Sequence, residues 1–386
     1  MARLAHNPCD PDNLEESLDM WNVQTAVSAT QGDTGLAPPA RAIDRKAPYR
    51  RIATEEAWNI PEVLEAQVRL LQSPQAPDDS SLRMAGMFSR LPELQAQLMD
   101  LGQRRLKRMD ELGIAKQLLL LTAPGVQVLE PAEGTALARL ANDRLAEACR
   151  AHPDRYAGLT VFAPQDVKGA VAEIERGMTK LKFNGAVLNS HFRGHYLDET
   201  AYWPILEALE AHDAALYIHP TIPPSAWSQP YEFRGFGGAL AGFPHEVWMH
   251  TMGMIMAGVF DQFPKLRLVI GHMGEAMPLQ LYRFDWMQSN ADGREGLRGG
   301  APAVTLKHKI SYYFHHNIWI TTSGQGWEPS IQFCMQVLGP ERVLYAMDYP
   351  YQQSADEVAA YDHFELSPEH KKMLMQTNAE QVFRLK

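Results

Sequence analysis

Four short apolar runs in this chain each end in a side chain that can hold a metal ion or move a proton. Glu55 closes Arg51-Ile52-Ala53-Thr54-Glu55, and His219 closes Ala215-Leu216-Tyr217-Ile218-His219. His272 closes Leu268-Val269-Ile270-Gly271-His272, and Asp348 closes Val343-Leu344-Tyr345-Ala346-Met347-Asp348. Glutamate, histidine and aspartate form a mixed oxygen and nitrogen donor set. Such a set suits a borderline divalent ion, Mn²⁺ or Zn²⁺, and does not suit thiolate-seeking metals. Taken singly, a histidine at a strand end is more often a hydrogen-bonded core residue, and an aspartate there is more often a helix N-cap. Four along one chain point to strand ends that converge on one ion.

The neighbours refine this set. Glu56 follows Glu55, and on a strand the two face opposite ways, so one enters the site and the other does not. Gly271 and Gly274 around His272 permit close backbone approach, and Glu275 is placed to orient the imidazole. His272 therefore reads better as a hydrogen-bonding catalytic group than as a fourth ligand. His191 follows a candidate strand and is a pocket-lining candidate. Glu246 and His250, one helical turn apart, read as a simple pair. His315 and His316 precede a strand and belong at the opposite end of the fold.

Elements must exist to position these groups. Apolar strand-like runs over 51–57, 116–122, 157–162, 184–189, 215–219, 267–272, 317–322 and 342–348 alternate with helical patterns over 93–113, 132–151, 167–181, 199–212, 244–262, 276–289, 327–338 and 353–384. Continuous apolar strands separated by amphipathic helices predict βαβ units and a parallel sheet. Eight repeats predict an α/β fold of the (β/α)₈ TIM-barrel type spanning 49–386. An open doubly wound sheet would need a glycine-rich phosphate loop after the first strand. Glu-Glu-Ala-Trp stands there instead, and no organic cofactor is expected. Connections 59–92, 220–243 and 290–312 are too long for plain loops and read as lid insertions or oligomer contacts. Residues 1–48, with little periodicity and several prolines and glycines, read as a flexible N-terminal arm, partly disordered or docked on a partner subunit through Leu18, Met20 and Trp21.

Composition narrows the function. The chain has 386 residues, 45% of them hydrophobic, with a formal net charge of −10. That charge argues against a nucleic-acid partner. Cys9, Cys149 and Cys334 form no CxxC cluster, which argues against a disulfide framework or zinc knuckle. No apolar stretch approaches the roughly 20 residues of a spanning helix, and no secretory pattern is evident. The expectation is a cytoplasmic enzyme with no membrane partner.

From these motifs the chain resembles the amidohydrolase superfamily, in its branch of non-oxidative aromatic acid decarboxylases. The stretches that carry the likeness run from Arg-Ile-Ala-Thr-Glu-Glu-Ala to Tyr-Ala-Met-Asp-Tyr-Pro-Tyr-Gln and include Asn-Ser-His, Tyr-Ile-His-Pro and Gly-His-Met-Gly-Glu. They are most like those of 5-carboxyvanillate decarboxylases, and similar to those of γ-resorcylate and 2,3-dihydroxybenzoate decarboxylases. The resemblance implies metal ligands Glu55, His219 and Asp348, and a pocket pair His272 and Glu275. It also implies substrate-binding arginines at Arg90 and at Arg283, the latter reaching a neighbouring subunit in a homodimer or homotetramer. Many members carry a further histidine ligand two residues after the glutamate; here that residue is Ala57.

The implied reaction is decarboxylation of an ortho-hydroxy aromatic acid, with Asp348 protonating the ring carbon before CO₂ leaves. A metal-dependent hydrolase or hydratase on the same barrel is the alternative, weakened by Ala57. A non-catalytic sensor barrel is a third reading, which the lack of a recognisable output domain argues against.

Overall fold

The computed structural model describes residues 41–291 and 305–385, with the side chains of 290 and 291 excepted. Eight parallel strands carry the fold: β1 (Arg51–Trp58), β2 (Ile114–Leu121), β3 (Tyr156–Gly158, resumed after Leu159 as Thr160–Val161), β4 (Gly185–Leu188), β5 (Ala215–Ile218), β6 (Arg267–Ile270), β7 (Ile318–Thr321) and β8 (Val343–Leu344). Neighbours pair in sequence order, as in Val187 with Tyr217 and Tyr217 with Val269. At the break in β3 the chain stays in the sheet, because Leu159 N–H donates to the Leu119 carbonyl at 3.0 Å. The last strand returns to the first through Thr54 N–H to the Tyr345 carbonyl, 3.0 Å, and Ala57 N–H to the Tyr349 carbonyl, 2.7 Å. The sheet is therefore a closed barrel. β1 is buried along its whole length, as are β4 and β5, which explains why these strands read as continuous apolar runs.

The outer helices are α1 (Pro61–Leu71), α2 (Leu82–Ser89), α3 (Pro92–Met99), α4 (Gln103–Leu112), α5 (Pro131–Ala151), α6 (Val167–Arg176), α7 (Trp203–Ala211), α8 (Ser225–Glu232), α9 (Gly242–Met256), α10 (Leu281–Ala291), α11 (Ile310–His316), α12 (Glu328–Leu338) and α13 (Ala355–His363), followed by short turns of helix to Val382. Two expected helices are divided. The span 93–113 breaks into α3 and α4 because the Asp100 carboxylate takes the backbone N–H groups of Gly102, 2.5 Å, and Arg104, 3.0 Å. A short acidic side chain there competes with the helical ladder. The span 353–384 breaks after α13, where the Ser367 hydroxyl caps the next turn from His370 N–H at 3.1 Å and Pro368 starts it.

Two of the connections expected as lid insertions or oligomer contacts hold helices. Within 59–92, α1 buries Val63, Leu64 and Ala66, a stripe at helical spacing that begins with Pro61 at the first helical position. α8 lies in 220–243. The two insertions meet: Arg83 of α2 pairs with Glu232 of α8, the Ser80 hydroxyl donates to the Pro223 carbonyl, and the Ser225 hydroxyl donates to the Asp78 carbonyl at 3.3 Å. Together they form one lid. Of the expected arm, residues 1–40 lie outside the described residues, as do 292–304 of the third connection. Residues 41–48 strap onto the barrel, with Arg45 donating to the Asp110 carbonyl at 2.6 Å. Among the described residues no helix is long and apolar enough to cross a membrane.

Candidate active site

A register shift in β1 between Ala53 and Glu56 sends the two glutamates to different surroundings, as a bulge does when it re-aims a side chain. Glu55 enters the barrel. Its Oε2 accepts the hydroxyls of Tyr217 on β5 and Thr321 on β7, the latter at 2.9 Å. Three odd-numbered strands thus share one layer, the packing expected inside such a barrel. Glu56 faces away and accepts Gln117 Nε2 at 3.0 Å and Met347 N–H at 3.0 Å, tying β1 to β2 and to the chain after β8.

His219 and Asp348 converge on Glu55. One ligand atom from each of the three lies within 4.8 Å of the others. His219 Nδ1–H donates to the Pro220 carbonyl at 2.8 Å, which leaves the Nε2 lone pair pointing at Glu55 Oε1, 3.6 Å away. Burial pulls the His219 pKa down to about 4, more than the Glu55 charge raises it, so the ring is neutral and ready to ligate. Glu55 Oε1 is buried and has no hydrogen-bond partner among the described residues. An orphaned carboxylate oxygen facing a bare imidazole nitrogen and a second carboxylate is costly unless a cation joins them. The residues therefore fit a divalent ion.

His272 stands beside this cluster. Its Nδ1 bonds Glu275 Oε1 at 2.8 Å, and its Nε2 lies 3.6 Å from Glu55 Oε1 and 3.9 Å from Asp348 Oδ2. Burial opposes its charge, but Glu275 and Glu55 hold its pKa well above the ordinary value. Asp348 is pushed up to about 6 by burial, with the Glu55 charge adding to the rise and His272 opposing it. The Asp348 and His272 side chains keep 17% and 19% exposure, against 1% for Glu55, so these two face the space left for a ligand.

The chain is strained here. His272, Met273, Gly274, Glu275 and Ala276 all have positive φ, between 50° and 66°, and Asp348 has φ 75°. Such backbone clusters at functional sites because the surrounding fold must hold it. Gly271 is required: a Cβ there would lie 2.6 Å from Glu55 Oε2.

The amidohydrolase family profile matches residues 88–385. This chain belongs to the amidohydrolase family. A γ-resorcylate decarboxylase of Rhodococcus jostii (strain RHA1) is 32% identical over 346 residues, covering 87% of this amidohydrolase and 98% of that protein. Among solved structures, the 5-carboxyvanillate decarboxylase of Novosphingobium aromaticivorans, crystallised with manganese and 4-hydroxy-3-methoxy-5-nitrobenzoic acid, is similar with a TM-score of 0.84 and 42% identity over 89% of this chain and 98% of that one. A dihydroxybenzoic acid decarboxylase of Polaromonas with manganese and 2-nitroresorcinol gives a TM-score of 0.75 and 29% identity over 87% and 97%. Aromatic acid decarboxylases are thus this amidohydrolase's relatives, and the barrel expected from its strand pattern is theirs.

The other expected site residues make no hydrogen bond or ion pair with the cluster among the described residues. Arg90 is exposed at the end of α2, and Arg283 is exposed on α10. Neither guanidinium has an ion pair among the described residues. His191 is 2% exposed, and both its nitrogens are taken: Gly194 N–H donates to Nδ1 at 3.2 Å and Nε2–H donates to the Ile222 carbonyl at 2.9 Å. It ties the turn after β4 to the lid. Glu246 and His250 do not pair with each other. Glu246 accepts the Ser190 hydroxyl at 2.8 Å, His191 N–H at 3.2 Å and the Tyr196 hydroxyl at 3.0 Å, while His250 Nε2 accepts Leu197 N–H at 3.2 Å. His315 bonds within its own end of the barrel, with Nδ1 2.7 Å from the Ser311 carbonyl and Nε2 2.9 Å from the Val337 carbonyl.

Tyr217 and Thr321 were missing from the sequence reading. Strand alternation was the available signal, because Tyr217 lies two residues before His219 and shares its face.

Proposed function

We propose that this amidohydrolase removes CO₂ non-oxidatively from an ortho-hydroxy aromatic acid, using one divalent ion, Mn²⁺ first. The observation that carries this reading is the buried Glu55–His219–Asp348 cluster, with an unpartnered glutamate oxygen, beside a His272–Glu275 pair at the mouth of a lidded barrel. Glu55, His219 and Asp348 would hold the ion. When bound, it supplies positive charge that binds and orients the phenolic oxygen and carboxylate of the substrate.

The chain's own groups do the proton chemistry. Direct loss of CO₂ from an arene leaves a high-energy aryl anion. Asp348 avoids it by donating its proton to the ring carbon that bears the carboxylate. That C–C bond then breaks, CO₂ departs, and the bonding pair restores aromaticity. Burial and the neighbouring Glu55 charge both favour the protonated form of the Asp348 carboxyl, as a proton donor requires. His272, oriented by Glu275, hydrogen-bonds the departing carboxylate and holds it turned from the ring. No water nucleophile is needed, so an alanine at position 57 in place of a further ligand is compatible with this chemistry.

Arg90 and Arg283 are the proposed anion-binding arginines, Arg283 acting across a homodimer or homotetramer contact. Supporting that contact, Leu279 and Tyr282 beside it are 64% and 84% exposed, a large apolar surface for a lone chain. The test is incubation of manganese-loaded protein with a panel of ortho-hydroxy aromatic acids, reading CO₂ and ring products. Release of CO₂ from at least one acid, lost in Asp348→Asn, supports the reading. Hydrolysis or hydration products without CO₂ would replace it by water chemistry on the same barrel.

A further inference from the structure

The turns after β7 and β8 are tied together by a group that the decarboxylation above does not use. Glu357 on α13 accepts Gln352 Nε2 at 2.6 Å and also the backbone N–H of Gly326. Gln352 is pinned at its own backbone, where its N–H donates to the Asp348 carbonyl at 2.9 Å. Once ionised, Glu357 only accepts, so the NH₂ end of Gln352 then faces it and the carbonyl end faces away.

That carbonyl lies at the His272 side of the site. A Cβ built on Gly324 would be 3.3 Å from His272 Cδ2 and 3.6 Å from Gln352 Oε1, with nothing else within 4 Å. Gly324 also has φ 62°, which disfavours any side chain. The missing side chain leaves a notch with the imidazole on one side and a fixed acceptor on the other.

We propose that Gln352, turned by Glu357, is a specificity-determining residue that offers this acceptor to the ring of the bound aromatic acid, selecting acids with a second, donating hydroxyl over the same acids with that hydroxyl methylated. The inference rests on the aromatic-acid reading of the site. A methoxy oxygen brings no proton to the notch and leaves the amide oxygen unpaired, and an unpaired buried acceptor costs more than the matched bond gains. The orientation depends on Glu357 being an acceptor. In Glu357→Gln the new amide can donate to Gln352 Oε1, which lets Gln352 turn its NH₂ into the notch and favour an accepting substituent.

Calorimetric titration of the manganese-loaded full chain, run well above the Glu357 pKa of about 7, tests this. The ligands are dihydroxybenzoates whose second hydroxyl is ortho, meta or para to the chelating one, each paired with its methyl ether at that second hydroxyl. At one ring position the wild type should bind the hydroxyl acid about tenfold more tightly, the effect of one matched hydrogen bond. Gln352→Leu should bring that ratio near one, and Glu357→Gln should lower or invert it. A ratio unchanged in both variants overturns the proposal, and if Gln352→Leu does not fold, Glu357→Gln alone decides. The decarboxylase reading fails differently, through selective binding with no CO₂ released by the wild type. Absence of binding by every acid would sink both.

Discussion

Glu55 holds two hydroxyls with one oxygen and leaves the other bare in the barrel interior. Burial opposes its charge, which the His272 imidazole beside it supports and a bound cation would support further. At this scale the expected losses are sharp. Asp348→Asn should cut CO₂ release by roughly 10²–10⁴, the usual worth of a positioned proton donor, as read in a single-turnover assay. Gly271→Ala forces a methyl group to 2.6 Å from Glu55 Oε2. It should lower manganese affinity, measured by titration with a chelator competitor, and destabilise the fold by about 1–3 kcal/mol. Affinity equal to wild type would mean that Glu55 moves aside freely. The three ligand types were legible from the sequence because each closes an apolar run. His191 is a pocket-lining candidate by its place after a strand, and in the structure both its nitrogens are taken by Gly194 and Ile222.

The lid and its anchors belong to the scale of elements. His191 Nε2 holds the Ile222 carbonyl, three positions beyond the proposed ligand His219, whose own Nδ1 is held by Pro220. His191→Ala should loosen the strap between β5 and α8. The expected outcome is a rise in KM with a smaller change in kcat; equal loss of both would place His191 in the chemistry instead. Glu357 on α13 gives a pH prediction. Burial raises its pKa to about 7, above the unfolded value of 4.5, so the folded state holds the extra proton. Stability is then greatest below the unfolded pKa and falls as pH rises toward 7, at up to about 1.4 kcal/mol per pH unit for one proton. Urea midpoints of metal-free protein across that window should show the slope, and Glu357→Gln should flatten it. Helix breaks such as Asp100 were hidden from periodicity because a side chain capping its own backbone leaves the apolar spacing intact.

For the whole molecule, metal and assembly set the expectations. An ion bound only by the folded barrel stabilises it by mass action, about 4 kcal/mol at a thousandfold excess over Kd. Chelator treatment should therefore lower Tm clearly, and re-addition of Mn²⁺ should restore it; an unchanged Tm would argue against a site shared by three strands. Arg283 sits on exposed α10 with no ion pair among the described residues. If it serves a neighbour's pocket, mixing Arg283→Ala chains with Asp348→Asn chains should recover part of the activity that each lacks alone. No recovery in confirmed mixed oligomers would remove that role.

By itself the sequence determined the barrel and the ligand types, since buried parallel strands must be apolar and their ends are the places where polar groups can gather. Only the tertiary structure decided which face each group takes. The bulge in β1 sends Glu55 inward and Glu56 outward, and the left-handed run after β6 turns His272 toward Asp348. It also decided that Tyr217 and Thr321 hold Glu55 and that Glu357 turns Gln352. The two bonds to Glu55 join residues 162 and 266 positions apart, and no local spacing encodes a contact made by closing the barrel.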